Sequence, residues 1–263
     1  MRHTTVLLTG ASGGIGKAIA RALAARGANL LLSGRRAEAL DQLAQSVGGR
    51  SLACDLASRE DVSRLGEAAA DAGAGILIAN AADPASGTLA ELTQEQIDAM
   101  LEVNLRAPVA LARALIPGMM ARGAGHLVFI SSLQGKAATP SAPLYLATKF
   151  GLRGFALGMR EDLRGHGVGV STVFPGFIRD AGMFANSGVR LPPGVGTRSP
   201  QDVADGVLKV IDEDRAELDV APLPLRAGAA VAGLAPSLAA NVSRRLGSHD
   251  IANAIVETQR GQR

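Results

Sequence analysis

Residues 5–26 read TVLLTGASGGIGKAIARALAAR. The apolar run Val6-Leu7-Leu8 predicts a buried strand, and the second half of the segment predicts an amphipathic helix. Between them, Gly10, Gly14 and Gly16 allow a tight turn whose backbone can come close to a bound group. The helix that follows would direct free N–H groups at that group. The segment therefore predicts a cradle for a pyrophosphate, with an ordinary tight turn as the alternative.

Most of the chain repeats this alternation of short apolar runs and longer helical patterns. Near-continuous apolar runs between helices are typical of a parallel sheet buried on both faces. The predicted fold class is α/β, a Rossmann-type doubly wound parallel sheet of about seven strands with helices on both faces. Strands are predicted at residues 6–8, 29–33, 51–54, 75–79, 125–131, 168–174 and 217–221. Helices are predicted at 15–26, 37–47, 59–71, 93–120, 144–164 and 200–213, with irregularities at Pro108 and Pro117.

The chain divides into one large domain and a tail. Residues 1–221 are predicted to form a single Rossmann-fold domain for dinucleotide binding and catalysis, and residues 222–263 a C-terminal helical extension. In the extension, Pro236–Leu246 predicts a helix whose apolar face would pack on the domain or on a partner subunit. Peripheral contact with a membrane is the less favoured alternative. The Gly- and Pro-rich residues 180–199 predict a lid, or a plain surface loop, beyond the sixth strand.

Composition excludes several classes of function. The formal net charge is +3, there is no long basic run, and the chain has no tryptophan and one tyrosine, so nucleic-acid binding is not expected. A single cysteine and four dispersed histidines give no disulfide and no metal site. No apolar run is long enough for a signal peptide or a membrane span, which predicts a soluble cytoplasmic protein.

The residues after the second predicted strand bear on cofactor choice. NAD-dependent enzymes usually place a carboxylate here to bind the ribose 2′-hydroxyl. This chain has Gly34, Arg35 and Arg36 instead. The two guanidinium groups could bind a 2′-phosphate through charge-assisted hydrogen bonds, or could simply be solvated at the start of the next helix. The segment favours NADP over NAD.

The chain's only tyrosine, Tyr145, lies four residues before Lys149. Residues at this spacing share one face of a helix. A phenol has an ordinary pKa of about 10, and a nearby ammonium group would lower that pKa and favour proton transfer near neutral pH. Such a pair is more often structural when taken alone, but here it follows a predicted dinucleotide-binding unit.

These motifs resemble the classical short-chain dehydrogenase/reductase family over about residues 4–220. The family's Thr-Gly-x-x-x-Gly-x-Gly, Asn-Ala-Gly and Pro-Gly motifs correspond to residues 9–16, Asn80-Ala81-Ala82 and Pro175-Gly176. The resemblance implies four catalytic residues, which are Asn104, Ser132, Tyr145 and Lys149. It implies that cofactor binding involves Gly10, Ser12, Gly14, Ile15, Gly16, Arg35, Arg36, Asp55, Leu56, Asn80, Ala81, Tyr145, Lys149, Pro175, Gly176 and Ile178.

Two positions near the implied cofactor site depart from the family pattern. Ala82 replaces the usual glycine, and Asp180 stands where many members have a threonine that bonds the carboxamide. The resemblance also implies roles for the catalytic residues. Tyr145 would transfer the proton, Ser132 would bond the reacting oxygen, Lys149 would lower the tyrosine pKa and hold the ribose, and Asn104 would hold a water.

The predicted function is that of an NADP-dependent oxidoreductase transferring a hydride between the nicotinamide and a carbonyl or secondary alcohol of a small, mostly apolar substrate. A non-catalytic NADP-binding sensor or scaffold on the same fold is the alternative. A carrier-bound β-ketoacyl group is a rival substrate. Family resemblance implies a homodimer or homotetramer. Candidate pocket residues are Leu133, Gln134, Ala138, Pro140, Phe177, Met183, Phe184 and Leu191, with Arg179, Arg190 and Arg198 as possible anchors for an acid.

Overall fold

The structure, a computed structural model, describes residues 1–83, 87–140, 142–189, 191, 195–235 and 237, without the side chains of Met183 and Asn186. The strands are β1 (Thr5–Thr9), β2 (Asn29–Gly34), β3 (Arg50–Ala53), β4 (Ile76–Ala79), β5 (Gly125–Ile130), β6 (Val168–Pro175) and β7 (Glu217–Val220). The helices are α1 (Gly14–Ala25), α2 (Ala37–Val47), α3 (Arg59–Asp71), α4 (Gln94–Leu101), α5 (Ala107–Arg122), α6 (Pro143–Asp162), α7 (Gly182–Ser187), α8 (Pro200–Asp212) and α9 (Leu223–Leu234).

The strands form one sheet in the order β3-β2-β1-β4-β5-β6-β7, and every neighbouring pair is parallel. The chain winds outward from β1 to β3, returns to the centre at β4 and winds outward again to β7. The predicted doubly wound parallel sheet is therefore confirmed, with seven strands. The strand order reverses between β1 and β4, which is where open α/β sheets bind ligands.

Alternate strand residues feed two separate cores. Val6 and Leu8 of β1 pack on one face with α1, α2 and α8, whereas Leu7 packs on the other face with α3, α5 and α6. All three side chains have no solvent exposure. Each fully buried leucine contributes about 1.5–3 kcal/mol, so both faces stabilise the sheet. Burial on both faces explains why the strands read as continuous apolar runs rather than as alternating ones.

The long helical stretch predicted at 93–120 is interrupted by one wider turn. Residues Glu102–Arg106 form a π-helical turn between α4 and α5. Pro108, in the first turn of α5, has no N–H for the carbonyl of Asn104, and a proline ring clashes with the carbonyl four residues earlier. The predicted irregularity at Pro108 therefore appears in the turn that contains Asn104. Pro117 lies inside α5, and the helix continues past it.

The end of the described chain differs from the prediction. Helix α9 starts three residues after β7 and was not predicted, because its apolar residues surround the helix and two glycines interrupt the pattern. The helix predicted at Pro236–Leu246 lies outside the described residues except for Ser237. The domain boundary after residue 221 stays a prediction. Among the helices that the structure describes, none has the length and apolar character to cross a membrane.

One buried histidine lies at the amino-terminal edge of the sheet. The Nε2 atom of His126, in β5, lies 2.7 Å from the Oγ of Ser171 in β6. The serine hydroxyl donates to the carbonyl of Arg215, so its oxygen accepts from Nε2–H of the neutral imidazole. Burial lowers the pKa of His126 from 6.5 to about 4, assisted by the charge of Arg160 and opposed by that of Asp214.

We expect this histidine to make the fold sensitive to acid. The unfolded chain binds a proton as the pH falls below 6.5, but the folded chain binds it only near pH 4, so stability is full above 6.5 and falls through this window. The loss is about 3 kcal/mol at 1.36 kcal/mol per pKa unit. Urea unfolding of wild type and His126→Gln at both ends of the window measures it. His126→Gln should reduce the difference between the free energies of unfolding at the two pH values, and substitution of the exposed His166 should not. An equal dependence of that free energy on pH in His126→Gln and wild type would contradict the assignment.

Candidate active site

The predicted site residues lie along one edge of the sheet. They follow the carboxyl ends of β1, β2, β3, β4, β5 and β6, and the catalytic pair lies on α6, the helix after β5. Because all strands are parallel, these ends meet at the same edge. Residues that are far apart in the sequence therefore come together around the point between β1 and β4 where the strand order reverses.

The glycine-rich turn after β1 is shaped by close backbone contacts. Gly10 has a φ of +63°, a left-handed conformation that favours glycine. A Cβ on Gly16 would lie 2.2 Å from the carbonyl oxygen of Gly10, so a side chain there would push the turn apart. Gly13 precedes α1 and gives it no side-chain cap. The first N–H groups of α1, which lack intrahelical acceptors, are therefore left to a bound anion.

Asn80 joins the two strands on either side of the reversal. Its side-chain amide donates to the carbonyls of Thr9 (3.1 Å) and Gly10 (3.2 Å), and the hydroxyl of Thr9 accepts from the backbone N–H groups of Asn80 and Ala81. A Cβ on Gly10 would lie 2.8 Å from the Cα of Ala81. These contacts hold the glycine-rich turn against the end of β4. Ala82 is exposed beside them.

The two arginines after β2 have different surroundings. Arg36 donates through its NH2 group to the carbonyl of Ser12, 2.8 Å away, and so ties the start of α2 to the glycine-rich turn. The side chain of Arg35 is exposed. No carboxylate lies between the end of β2 and the start of α2. After β3, Asp55 is exposed and Leu56 is buried.

Three of the implied catalytic side chains form one cluster. Ser132 follows β5 and accepts from the N–H of Gln134 at the start of a 3-10 turn, Leu133–Gly135. Tyr145 lies in the first turn of α6, with its phenol near enough to the Ser132 hydroxyl for that group to lower its pKa. Lys149 lies one turn later, 2% exposed, with Nζ 5.5 Å from the centre of the Tyr145 ring. Its ammonium donates to the carbonyl of Ile130 at 3.0 Å. The structure therefore brings Ser132, Tyr145 and Lys149 together.

Asn104 lies on the wider turn between α4 and α5 and is 1% exposed. Its amide donates to the carbonyl of Asp83 (2.9 Å), and its Oδ1 accepts from the N–H of Asp83 (2.6 Å). It also donates to the hydroxyl of Thr148, which donates to the carbonyl of Tyr145. Asp83 and Thr148 were not among the predicted site residues. Thr148 could have been found from its position between the catalytic pair, but no local pattern marks Asp83.

Burial dominates the ionisation of the catalytic pair. It raises the pKa of Tyr145 from 10.0 to about 12, and the hydrogen bond from Ser132 offsets only part of the shift. Burial lowers the pKa of Lys149 from 10.5 to about 8. The helical spacing predicts that Lys149 lowers the pKa of Tyr145, but in this structure the cost of burying the phenolate is the larger effect, and the pKa is raised. The phenol is therefore protonated at neutral pH and is a proton donor.

The segment after β6 covers part of the glycine-rich turn. Pro175 is the last residue of β6, Gly176 and Ile178 follow it, and Ile178 pairs with Arg198 in a β-bridge at the base of the predicted lid. Asp180 has a φ of +66° and is exposed. The next residue, Ala181, packs on Gly14, where an added Cβ would lie 2.3 Å from the alanine Cβ. The lid prediction itself stays a prediction.

The predicted substrate side of the cluster is mostly apolar. The rings of Phe177 and Phe184 lie 5.0 Å apart, centre to centre. Leu133 lies next to Gly176. Of the candidate acid anchors, Arg179 is exposed and lies 3.5 Å from the carboxylate of Asp180. Arg198 is also exposed, whereas Arg190 and the side chain of Met183 lie outside the described residues.

Known proteins resemble this chain along most of its length. The family described as short chain dehydrogenase matches residues 4–190. A ketoacyl reductase, HetN, from Nostoc sp. is 37% identical over 84% of this chain and 79% of the relative. Solved structures include a short-chain dehydrogenase from Sphingobium yanoikuyae in complex with NADPH (30% identity, TM-score 0.77, 84% of this chain and 88% of that chain). A metagenomic short-chain oxidoreductase in complex with NADP is 33% identical, with a TM-score of 0.72; the match covers 84% of this chain and 97% of that chain.

The single tyrosine allows the pKa of Tyr145 to be measured directly. Because the chain has no tryptophan and no second tyrosine, an ultraviolet pH titration reports this phenol alone. We expect the native chain to ionise well above pH 10.0, toward about 12, and Ser132→Ala to ionise at still higher pH because the hydrogen bond is lost. Circular dichroism at each pH shows whether the chain is folded. Ionisation at or below pH 10.0 in the folded chain would contradict burial as the larger effect.

Proposed function

The chain belongs to the short-chain dehydrogenase family, and on that basis we propose that it is an NADP-dependent oxidoreductase acting on a carbonyl or a secondary alcohol. The observation that carries the proposal is the cluster of the half-buried Ser132 with the buried Tyr145 and Lys149, at the same edge of the sheet as the glycine-rich turn. A phenol with a hydroxyl partner and a buried ammonium group nearby provides a proton donor and a polar contact for a reacting oxygen. A bound nicotinamide cofactor supplies the hydride.

The proposed mechanism of reduction uses each of these groups at a stated atom. The hydroxyl of Ser132 donates to the carbonyl oxygen of the substrate and stabilises the negative charge that develops there. The protonated Tyr145 gives its hydroxyl proton to that oxygen. Lys149 stabilises the phenolate that forms and holds the nicotinamide ribose. Asn104, which is tied to Asp83 and Thr148, supports the end of α6 that carries these groups and holds a water that links Lys149 to solvent.

The described residues fit an NADP molecule. The start of α1, which has no side-chain cap, offers N–H groups to a pyrophosphate. Gly14 adds no side chain there, and the side chain that packs against it is that of Ala181. We assign the 2′-phosphate to Arg35, whose guanidinium is exposed, with Arg36 holding the turn through Ser12. The absence of a carboxylate after β2 makes NAD the weaker ligand. The complexes of two relatives with NADPH and NADP support this assignment.

Arg35 provides the test of cofactor choice. We expect wild type to bind NADPH at least about tenfold tighter than NADH, a difference of about 1.4 kcal/mol, and Arg35→Asp to remove the preference. Fluorescence titration with both nucleotides measures the two affinities. Arg50→Asp changes an exposed arginine at the amino-terminal end of β3, away from the predicted site, and should keep the preference for NADPH. Equal affinities in wild type would overturn the NADP assignment.

Tyr145 provides the test of catalysis. Tyr145→Phe keeps the buried ring and removes only the hydroxyl that carries the proton, so we expect turnover of a ketone panel to fall by about a hundredfold or more. NADPH affinity and the melting temperature should stay within error of wild type, because the ring still fills its site. If wild type binds NADPH but reduces no ketone and oxidises no alcohol, the chain is instead a sensor or scaffold that uses the same fold.

We propose a small, mostly apolar ketone or secondary alcohol as the substrate. The tilted pair of Phe177 and Phe184 and the side chain of Leu133 support an apolar pocket. A carrier-bound β-ketoacyl group is the second candidate, favoured by the similarity to a ketoacyl reductase. We further propose a homodimer or homotetramer formed through α5 and α6, where Phe150 and Leu157 are exposed, with residues 222–263 as an extension of the domain.

A further inference from the structure

Four charged side chains form a half-buried ion cluster beside the catalytic residues. Lys136 lies 2.7 Å from Asp219 and 3.0 Å from Glu217, both on the edge strand β7. Arg153 of α6 binds Glu217 through two nitrogens, at 2.6 and 3.1 Å. The ammonium of Lys136 also lies 4.1 Å from the centre of the Phe174 ring, and Arg153 approaches the same ring. We call these four residues the ion cluster.

Burial sets the ion cluster apart from the other ion pairs. The side chains of Lys136, Asp219, Glu217 and Arg153 are 14%, 18%, 21% and 32% exposed. In the part of the chain that the structure describes, these are the only ion pairs in which both partners are less than one-third exposed. The hydrogen bonds from Arg153 and Lys136 outweigh burial and keep the pKa of Glu217 below its usual range. The two cationic and two anionic side chains of the cluster balance in formal charge.

The ion cluster connects the elements that carry the proposed chemistry. Lys136 ends the 3-10 turn that begins immediately after Ser132. Arg153 continues the row of Tyr145 and Lys149 along α6, because residues four apart share one face of a helix. We call Ser132 and the 3-10 turn Leu133–Gly135 the serine turn. Glu217 contacts both cations and so joins the serine turn to α6. A second contact runs in parallel, in which Ser131 donates to the carbonyl of Lys149 at 3.2 Å.

Stability alone does not explain a cluster of this kind. Replacing buried ion pairs by well-packed apolar residues is often neutral or stabilising, because the desolvation of charges offsets their attraction. Apolar contacts are not directional, whereas short hydrogen-bonded ion pairs fix both distance and angle. Catalysis is sensitive to such distances, since a misplacement of about 1 Å can lower a rate by about a hundredfold.

We propose that Lys136, Arg153, Glu217 and Asp219 are positioning residues that set the distance between the hydroxyls of Ser132 and Tyr145. The proposal rests on the proposed function of these two hydroxyls as contacts to the reacting oxygen. None of the four residues touches that oxygen. They act through the serine turn on one side and through α6 on the other.

The double variant Lys136→Met with Asp219→Leu tests the proposal. It removes one cation and one anion, and Glu217 loses Lys136 but keeps Arg153, so no buried charge is left unpaired. We expect a melting temperature equal to or above that of wild type, unchanged NADPH affinity, and a kcat for ketone reduction lower by about tenfold to a hundredfold. If the double variant does not fold, Glu217→Gln replaces it in the test. This substitution keeps the side-chain shape and should also lower kcat.

Two further measurements separate positioning from a structural role. The ionised fraction of Tyr145 at one alkaline pH, read without cofactor, should fall in the double variant, because a displaced serine turn weakens the hydrogen bond from Ser132 that lowers the pKa of the phenol. The control Arg160→Met breaks the ion pair with Asp214, which lies before the amino-terminal end of β7, and should leave both kcat and this fraction unchanged. A double variant that is folded, with wild-type kcat and an unchanged or higher ionised fraction, would overturn the proposal.

The ionised fraction also keeps the proposal separate from the proposed function. If wild type reduces no ketone, the proposed function fails, but the titration of the single tyrosine still reports whether the ion cluster sets the environment of Tyr145. If wild type reduces ketones, and the double variant matches wild type in both kcat and the ionised fraction of Tyr145, the proposed function stands and the positioning role fails.

Discussion

In the part of the chain that the structure describes, the seven strands all run in one direction, and the positions of the helices and of the site follow from this. Parallel strands end at a common edge, so turns that are far apart in the sequence meet there. The same constraint requires helices on both faces, which bury both sides of every central strand. Asn80 then bridges the glycine-rich turn across the point of reversal. The site is therefore a product of strand direction first and of individual side chains second.

Burial at that edge has opposite effects on the two ionisable catalytic groups. It favours the uncharged form of each, which raises the pKa of Tyr145 and lowers that of Lys149. A phenol that keeps its proton at neutral pH suits the role of donor to a carbonyl oxygen. The hydrogen bond from Ser132 works against burial, so the position of the serine turn affects the pKa of the phenol as well as its proposed contact with the reacting oxygen.

Several irregular features around the cluster share one effect, which is to fix backbone that regular helices would leave less constrained. Pro108 widens the turn that presents Asn104, and Asn104 in turn holds the backbone of Asp83. The ion cluster joins the serine turn to α6 and β7. Polar groups buried in this way contribute geometric definition more than net stability.

The sequence by itself determined the features that depend on local geometry. The glycine-rich turn requires small residues at fixed offsets, the pair Tyr145 and Lys149 follows the helical repeat, and the apolar runs predict a parallel sheet. Only the tertiary structure decided which distant groups meet. Lys136 and Asp219 are 83 residues apart, and Asp83 reaches Asn104 from a loop without a recognisable pattern. The direction of the Tyr145 pKa shift was also decided there, because it depends on burial by residues from several elements, which no local spacing records.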